Sequence, residues 1–517
     1  MYQTNPVPVL TREEAQFIDQ HVEEAFAIPL LLLMENAGRG IAHTLVEDQA
    51  SGVLFVCGVG NNGADALVSA RHLQEQAIPV ALYIHGDLEK ATPLFKQQYA
   101  MCQALHIVEV PSLDGLDWTQ FSHVVEGVVG TGLKGPLRED LRDTLYTINA
   151  FSRAHGCALW AIDIAAGLDA NTGQVDEATP VYTGTMTFGA YKQGQWLYPG
   201  RDHSGLVQVL PLGLDWAHLL ATKGREADLY PTYVLDQDFV SALLQPRIST
   251  AHKGLNGHVA LLGGSPGMTG APAIAANASV WAGAGKTTLM SDEAVLPSIL
   301  THSLPEVMAK GLSSSQDIAS AVEGIDVLAR GPGLGRTESA RQLIEEALQC
   351  QGVNFVLDAD ALYAISPLQE GDDWSDCLMT PHIGEFARML NLSTKKVLEN
   401  YIPLARETAM KYGMTLVLKG IPSLIALPTG EVYINSAGNP GMGSGGMGDA
   451  LTGIVAALLA QDYSYYEAAI LGTYIHSLAA DQLAKDRPWG YRASDVAAQV
   501  GYAINTLLGS QDVAEEA

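Results

Sequence analysis

An α/β chain of two domains is the architecture this sequence predicts, and three observations carry that reading. At 517 residues the chain exceeds what one ordinary core sustains, so two or three domains are expected. Two stretches repeat one rhythm of apolar strand, glycine-rich turn and helix: VLFVCGVGNNGADALVSARHL (53–73) and HVALLGGSPGMTGAPAIAANASVWAGAG (258–285). Short apolar runs alternating with longer helical patterns mark parallel sheets, whose strands are buried on both faces and so lack polar alternation. Between the halves, PLGLDWAHLLATKGREADLYPTYVL (211–235) mixes charged, aromatic and small residues without periodicity. That places a first domain over 1–215, a linker over 216–235 and a second domain over 236–517. No short internal repeat is visible, which excludes a solenoid.

Composition narrows the partners. Hydrophobic residues make up 47% of the chain, enough for proper cores, and the formal net charge is -28. Nucleic acid and anionic membranes demand a basic face, so neither is expected as a partner. An acidic protein that binds phosphates must do so with local amides and a few lysines. Five cysteines without a CxxC pair suggest neither a disulfide framework nor a cysteine zinc site. The start, MYQTNPVPVLTREE, has no basic or apolar leader pattern, and IPLLLLM (28–34) is too short to span a bilayer. A cytoplasmic homo-oligomer acting on a small molecule is expected.

In the first half, Gly58, Gly60 and Gly63 spell GxGxxG between a strand and a helix, and Asp87 ends the next apolar run. A dinucleotide-binding Rossmann dehydrogenase is the first reading of that pattern, although the pattern alone is weak.

In the second half, GNPGMGSGGMGDALTGIVAALLA (438–460) passes from glycines into an apolar helical run, with Asp449 at the transition. Glycines leave backbone amides free to point at a ligand, and a helix start adds its positive dipole end, so the stretch suits an anion such as phosphate. A carboxylate there either accepts a proton beside the phosphate or simply caps the helix. Strand-like LVLKG (416–420) and the following IPS put Lys419 and Ser423 on a turn, as natural phosphate partners. RGPGLG (330–335) and LMTPHIGEFARML (378–390), with His382, fall where strands end, and open α/β sheets bind ligands at such ends. GAGKTT (283–288) imitates a Walker A loop, but Val280 replaces its first glycine and an apolar helix precedes it. It reads as helix-terminal packing.

Taken in order, HKGLNGHVALLGGSPGMTGA, PEVM, GPGLG, LDADAL, TPHIGEFARML, VLKGIPS and NPGMGSGGMGDALTG resemble the ADP- or ATP-dependent NAD(P)H-hydrate dehydratases of the ribokinase-like superfamily. The resemblance implies a ribokinase-like α/β fold and repair of hydrated NADH or NADPH. It implies nucleotide phosphates near Lys419, Gly420, Ile421, Pro422, Ser423, Gly446 and Gly448, and substrate near Ala271, Gly333 and His382. Asp449 would be the base and Mg²⁺ would accompany ADP or ATP. Ser423 stands where the family usually has threonine.

LLMENAGRG (32–40), GNNGADALVSARHL (60–73), EGVVGTGLKGP (126–136) and AIDIAAGLDANTGQV (161–175) resemble the NAD(P)H-hydrate epimerase domain, a Rossmann-like three-layer fold. Carried over, Asn61, Asn62, Gly63, Ala64 and Asp65, with Gly130, Thr131, Gly132, Leu133, Lys134, Gly135 and Pro136, would contact the hydrated dinucleotide. Asp163 would move a proton; Asn62 and Glu126 would ligate K⁺. Departures stand out: Ala64 and Ala66 replace family glycines, Glu126 replaces aspartate, and Ala166 removes a serine hydroxyl expected on the ion, leaving only its backbone. These changes predict weak potassium binding and strain or blocked approach at Ala64 and Ala66, and they leave two outcomes for the epimerase half: water replaces the lost hydroxyl and preserves activity, or the half is impaired and serves as a scaffold. The alternative function is a ribokinase-type small-molecule kinase whose first half is a non-catalytic scaffold.

Overall fold

The computed structural model describes residues 6–132, 135–214 and 230–516, which divide into a unit over Pro8–Tyr230 and a unit over Pro231–Ala517 with Met1–Val7. Residues 215–229, most of the expected linker, lie outside the described residues, as do Leu133 and Lys134.

The Pro8–Tyr230 unit holds a seven-stranded sheet. Its strands run in the spatial order Val108–Glu109, Val80–His85, Val53–Gly58, His123–Gly127, Ala158–Ile162, Gly184–Phe188 and Leu206–Leu210, all parallel. VLFVCG of the central strand is buried at every position, as a strand covered on both faces must be. The chain starts in the middle, winds outward one way, then crosses to Val53–Gly58's other side at His123–Gly127. That reversal is the crevice in which doubly wound sheets bind ligands. The GxGxxG turn leads into the helix Asn61–Glu75, and Gly63 is obligatory there: a Cβ would sit 1.8 Å from the Gly58 carbonyl oxygen.

Three expectations change here. Asn61 and Asn62 open the helix rather than occupy a loop. Ala64 and Ala66 have ordinary helical backbone and lie fully buried in the core behind the helix. The methyls therefore cost no positive φ, and alanine is the residue a helix interior favours most. Asp87 accepts from the Glu89 amide at 3.0 Å and caps the short turn Leu88–Lys90, which accounts for it without a ribose.

The Pro231–Ala517 unit repeats the winding. Strands Val307–Leu312, Lys286–Asp292, His258–Leu262, Val327–Arg330, Asn354–Leu357, Cys377–Met379 and Thr415–Leu418 are parallel neighbours in that order. Leu424–Ala426 and Val432–Asn435 continue antiparallel. Helix Met447–Ala460 is buried along nearly its whole length and packs on helix Gly270–Trp281; an all-round apolar helix of this kind belongs in a core. GAGKTT follows the C-cap Ala282 of helix Gly270–Trp281, and its Lys286, Thr287 and Thr288 open strand Lys286–Asp292, so it is a helix-to-strand turn rather than helix-terminal packing alone. No single described helix is long and apolar enough to cross a membrane.

Candidate active sites

The crevice of the Pro8–Tyr230 unit opens into a cavity of about 650 Å³, lined by Gly60, Asn61, Asn62 and Asp65 from one side of the switch point and by Val128–Gly132 and Asp163 from the other. Gly63 and Ala64 do not line it, since both turn toward the sheet; Gly135 and Pro136 are exposed and also stand outside it.

Asp163 follows strand Ala158–Ile162 with φ at 65°, a left-handed conformation that non-glycine residues keep only when their surroundings impose it. Lys192 imposes it. The Lys192 ammonium, 3% exposed, donates to Asp163 Oδ1 at 2.6 Å and to Thr187 Oγ1 at 2.8 Å. Gln195 Nε2 donates to the Asp163 carbonyl at 2.7 Å. Two more carboxyls face this pair. Burial pushes Asp65 well above the usual carboxylate range, and Asp163 and Asp19 push it further. Asp19, at the cavity mouth, rises to about 6, through enclosure first and Asp163 second. Asp163 held by lysine beside Asp65, whose burial favours the protonated form, offers a base and an acid in one pocket. Neither Lys192 nor Asp19 stands out in the sequence; only the fold brings YK (191–192) back to the strand end.

The residues expected around a potassium ion make hydrogen bonds within the protein. Asn62 donates its amide Nδ2 to the Ile162 and Val129 carbonyls at 3.1 and 3.2 Å. Glu126 is fully buried, takes the Val128 amide at 2.5 Å on Oε1, and takes the Tyr182 hydroxyl at 3.0 Å and the Ala166 amide at 3.2 Å on Oε2. Burial raises its carboxyl to about 7 against the pull of those donors. The Ala166 carbonyl accepts from Thr179 Oγ1 at 2.9 Å. Among the described residues no group of three or more His, Cys, Asp or Glu side chains is placed to hold a metal ion.

In the Pro231–Ala517 unit the candidate residues gather at the carboxyl ends of neighbouring strands. Gly333 follows Val327–Arg330, Asp358 follows Asn354–Leu357, His382 follows Cys377–Met379, and Lys419 follows Thr415–Leu418. Over them lies the start of helix Met447–Ala460, whose N-cap is Gly446 at φ 90°. Asp449 is the third residue of the helix and not its cap, which leaves its carboxylate free of capping. Lys419 donates to Asp358 Oδ1 at 2.6 Å, and Thr452 Oγ1 donates to Asp358 Oδ2 at 2.7 Å; a Cβ on Gly448 would lie 3.0 Å from the Lys419 ammonium. Burial, then Asp358, pushes Asp449 up to about 7, with Lys419 pulling the other way. Glu385 is also raised, chiefly by burial.

His382 caps helix Ile383–Met389, its Nδ1 accepting the Gly384 amide at 2.9 Å while Glu385 Oε2 accepts the His382 amide at 2.8 Å. It pairs with Lys419 through an isolated parallel bridge. Ser423 Oγ donates to the Gly420 carbonyl at 3.2 Å, closing the Gly420–Ser423 turn, and Ile421 is exposed. Gly333 lies against helix Gly270–Trp281, where an added Cβ would sit 3.4 Å from Ala271 Cβ. Asp358 and Thr452 lie inside the motifs LDADAL and GDALTG; their charge and hydroxyl are visible in the sequence, while their burial against Lys419 is not.

Comparison with known proteins adds a consistent result. A family model described as NAD(P)H-hydrate dehydratase matches residues 259–500, and one described as YjeF-related protein N-terminus matches residues 31–194. The bifunctional NAD(P)H-hydrate repair enzyme of Moorella thermoacetica is 34% identical over 511 residues, covering 94% of this chain and 94% of that protein. Those of Coxiella burnetii and Escherichia coli are each 33% identical, covering 88% and 83% of this chain and 90% and 80% of theirs. Among solved structures, an ADP/ATP-dependent NAD(P)H-hydrate dehydratase from Bacillus subtilis, co-crystallised with ATP and Mg²⁺, is 27% identical with a TM-score of 0.47, covering 53% of this chain and 98% of that one.

Proposed function

Since the chain belongs to the bifunctional NAD(P)H-hydrate repair enzymes, we propose a division of labour between its two units. The Pro231–Ala517 unit dehydrates the S hydrate of NADH or NADPH at the expense of ADP or ATP, and the Pro8–Tyr230 unit interconverts the R and S hydrates. The expected boundaries, 1–215 and 236–517, are proposed as the limits of the two activities.

The observation that carries the dehydratase reading is Asp449: a carboxyl raised to about 7, free of capping duty, in the first turn of a helix that begins from a glycine loop beside Lys419. The hydrate bears a hydroxyl at C6 of its reduced ring, and hydroxide is a poor leaving group. Asp449 accepts the hydroxyl proton as the oxygen attacks the terminal phosphorus of the nucleotide. The loop amides, the helix end and Lys419 stabilise the charge on the transferred group. Phosphate then leaves C6, the adjoining carbon loses a proton, and the ring double bond returns. Asp358 and Glu385 are the carboxyls here that would hold Mg²⁺, which would supply charge neutralisation for the phosphates. Lys419, released from Asp358 by an incoming phosphate, supplies the fixed protein cation.

At the other cavity Asp163 takes and returns the proton as the C6 centre opens and recloses, with neutral Asp65 as its acid partner. Five free cysteines suit the cytoplasm as compartment. The test is to add ADP or ATP with Mg²⁺ to the purified S hydrate and follow the near-ultraviolet absorbance of NADH. Return of absorbance in step with nucleotide consumption is expected. Phosphorylation of the hydrate or another alcohol without any regain of NADH would instead support a simple kinase.

A further inference from the structure

Two loops frame the cavity of the Pro8–Tyr230 unit: one after strand His123–Gly127, carrying Val128–Gly132, and one after Ala158–Ile162, carrying Asp163–Gly167. A single buried side chain joins them. Glu126 Oε1 accepts the Val128 amide of the first loop at 2.5 Å, and Glu126 Oε2 accepts the Ala166 amide of the second at 3.2 Å. Tyr182, 3% exposed and lying just before strand Gly184–Phe188, donates its hydroxyl to Oε2 at 3.0 Å. These donors meet the carboxylate at a position with no solvent access.

A hard monovalent cation needs oxygen lone pairs converging on one point, and at this place each candidate backbone oxygen already accepts a side-chain hydrogen bond. The Val129 and Ile162 carbonyls accept from the Asn62 amide nitrogen. The Ala166 carbonyl accepts from Thr179. Alanine at 166 has no hydroxyl to add. The carboxyl that a cation would sit against is held instead by hydrogen bonds from the protein, which are stronger when the acceptor is ionised.

We propose that this unit is built to work without a bound potassium ion, the Tyr182 hydroxyl and the Glu126 carboxylate together making the loop-to-loop joint that such an ion would make. Glu126, one methylene longer than aspartate, reaches both loops. Tyr182 fills the space and satisfies the charge. Asp163, three residues before Ala166 on the second loop, is held in place by this joint and by Lys192 from the other side. The proposal concerns how the cavity is assembled and holds whether or not the hydrate is its substrate.

The test is amide hydrogen exchange on the full chain, followed by mass spectrometry of peptides containing Val128 and Ala166, in potassium chloride and in choline chloride of equal ionic strength. Peptides from Pro231–Ala517 serve as the internal reference. Exchange at both amides is expected to be the same in the two salts. Tyr182→Phe is expected to speed it roughly tenfold or more, since a lost hydrogen bond to a charged group leaves the carboxylate short of a donor. Selective slowing by potassium in the native chain overturns the proposal, and so does unchanged exchange at both amides in Tyr182→Phe.

Discussion

Asp449 concentrates the chemistry of the second unit in one titration. With its folded value near 7 and its ordinary value at 3.8, burial favours the neutral form. The stability it contributes is complete below about pH 4 and is lost as pH rises through 7. Catalysis runs the opposite way, because only the ionised form accepts a proton. The rate of dehydration should therefore climb along an acidic limb centred near pH 7, and Asp449→Asn should abolish that limb while lowering turnover about 10²-fold to 10⁴-fold. Nucleotide affinity should survive. The same variant should melt higher than the native chain at pH 8, by about 1–3 kcal/mol after allowing for partial solvent access, since it removes an uncompensated charge. A variant that keeps near-native turnover, or that melts lower at pH 8, would sink the assignment. Lys419 behaves differently, because Asp358 at 1% exposure depends on it. Lys419→Met should weaken ADP and ATP binding by roughly 1.5–3 kcal/mol and also destabilise the unit by leaving a buried anion unpaired. Adding Asp358→Asn should restore the melting temperature without restoring affinity, as calorimetric titration and thermal melts of the same samples would show. The sequence points to Lys419 and Asp449 through their glycine-rich surroundings, whereas Asp358 is legible only as part of LDADAL. Its pairing spans 61 residues, and no local pattern encodes a contact of that range.

At the scale of elements, the strand, glycine turn and helix rhythm was readable because it is local: apolar runs of strand length, then a residue that must lack a side chain, then a helical pattern. Gly63 shows what the rhythm enforces. Its missing Cβ lets helix Asn61–Glu75 close to the Gly58 carbonyl, which brings Asn62 and Asp65 to the cavity wall. What the rhythm does not show is which way a side chain turns. Ala64 and Ala66 read from the sequence as obstacles in a phosphate loop, yet the helix begins at Asn61, so they point into the core. The helix start, a matter of one or two residues, decided the outcome. Gly63→Ala is therefore expected to be severe where Ala64→Gly is mild. The first forces backbone apart and should cost about 1–3 kcal/mol or more through overpacking; the second should cost about 1 kcal/mol through helix propensity. Dehydration of the S hydrate by the full chain should be unaffected by either. Thermal melts of both variants, with the S-hydrate assay alongside, would check the order; equal losses would mean that the turn does not depend on the close approach.

Across the whole molecule the two units share one winding, with Val53–Gly58 and His258–Leu262 each inside its sheet and the crossover strand beside it, and each places its acids at the strand ends that this winding opens. The shared topology does not imply shared chemistry. One site pairs its lysine with Asp163 in a cavity shared with Asp19 and Asp65, two acids raised chiefly by burial; the other pairs it with Asp358 under a helix start suited to phosphate. The sites should therefore fail independently. Asp163→Asn is the sharper probe of the first, because asparagine tolerates the left-handed backbone that Asp163 adopts and can still accept from Lys192, although the buried ammonium loses its counter-charge and the unit should melt lower. A mixture of R and S hydrates given to the native chain with ADP or ATP should be cleared completely. Given to Asp163→Asn, the S hydrate should vanish at the native rate while the R hydrate lingers, its loss slowed about 10²-fold or more to the pace of spontaneous epimerisation. Given to Asp449→Asn, neither should be cleared, yet pure R hydrate should still relax to the native R and S mixture. Chromatographic separation of the epimers over time distinguishes the three patterns. If Asp163→Asn clears R as fast as the native chain does, Asp163 is not the proton carrier; if Asp449→Asn no longer equilibrates the epimers, the two sites are not independent.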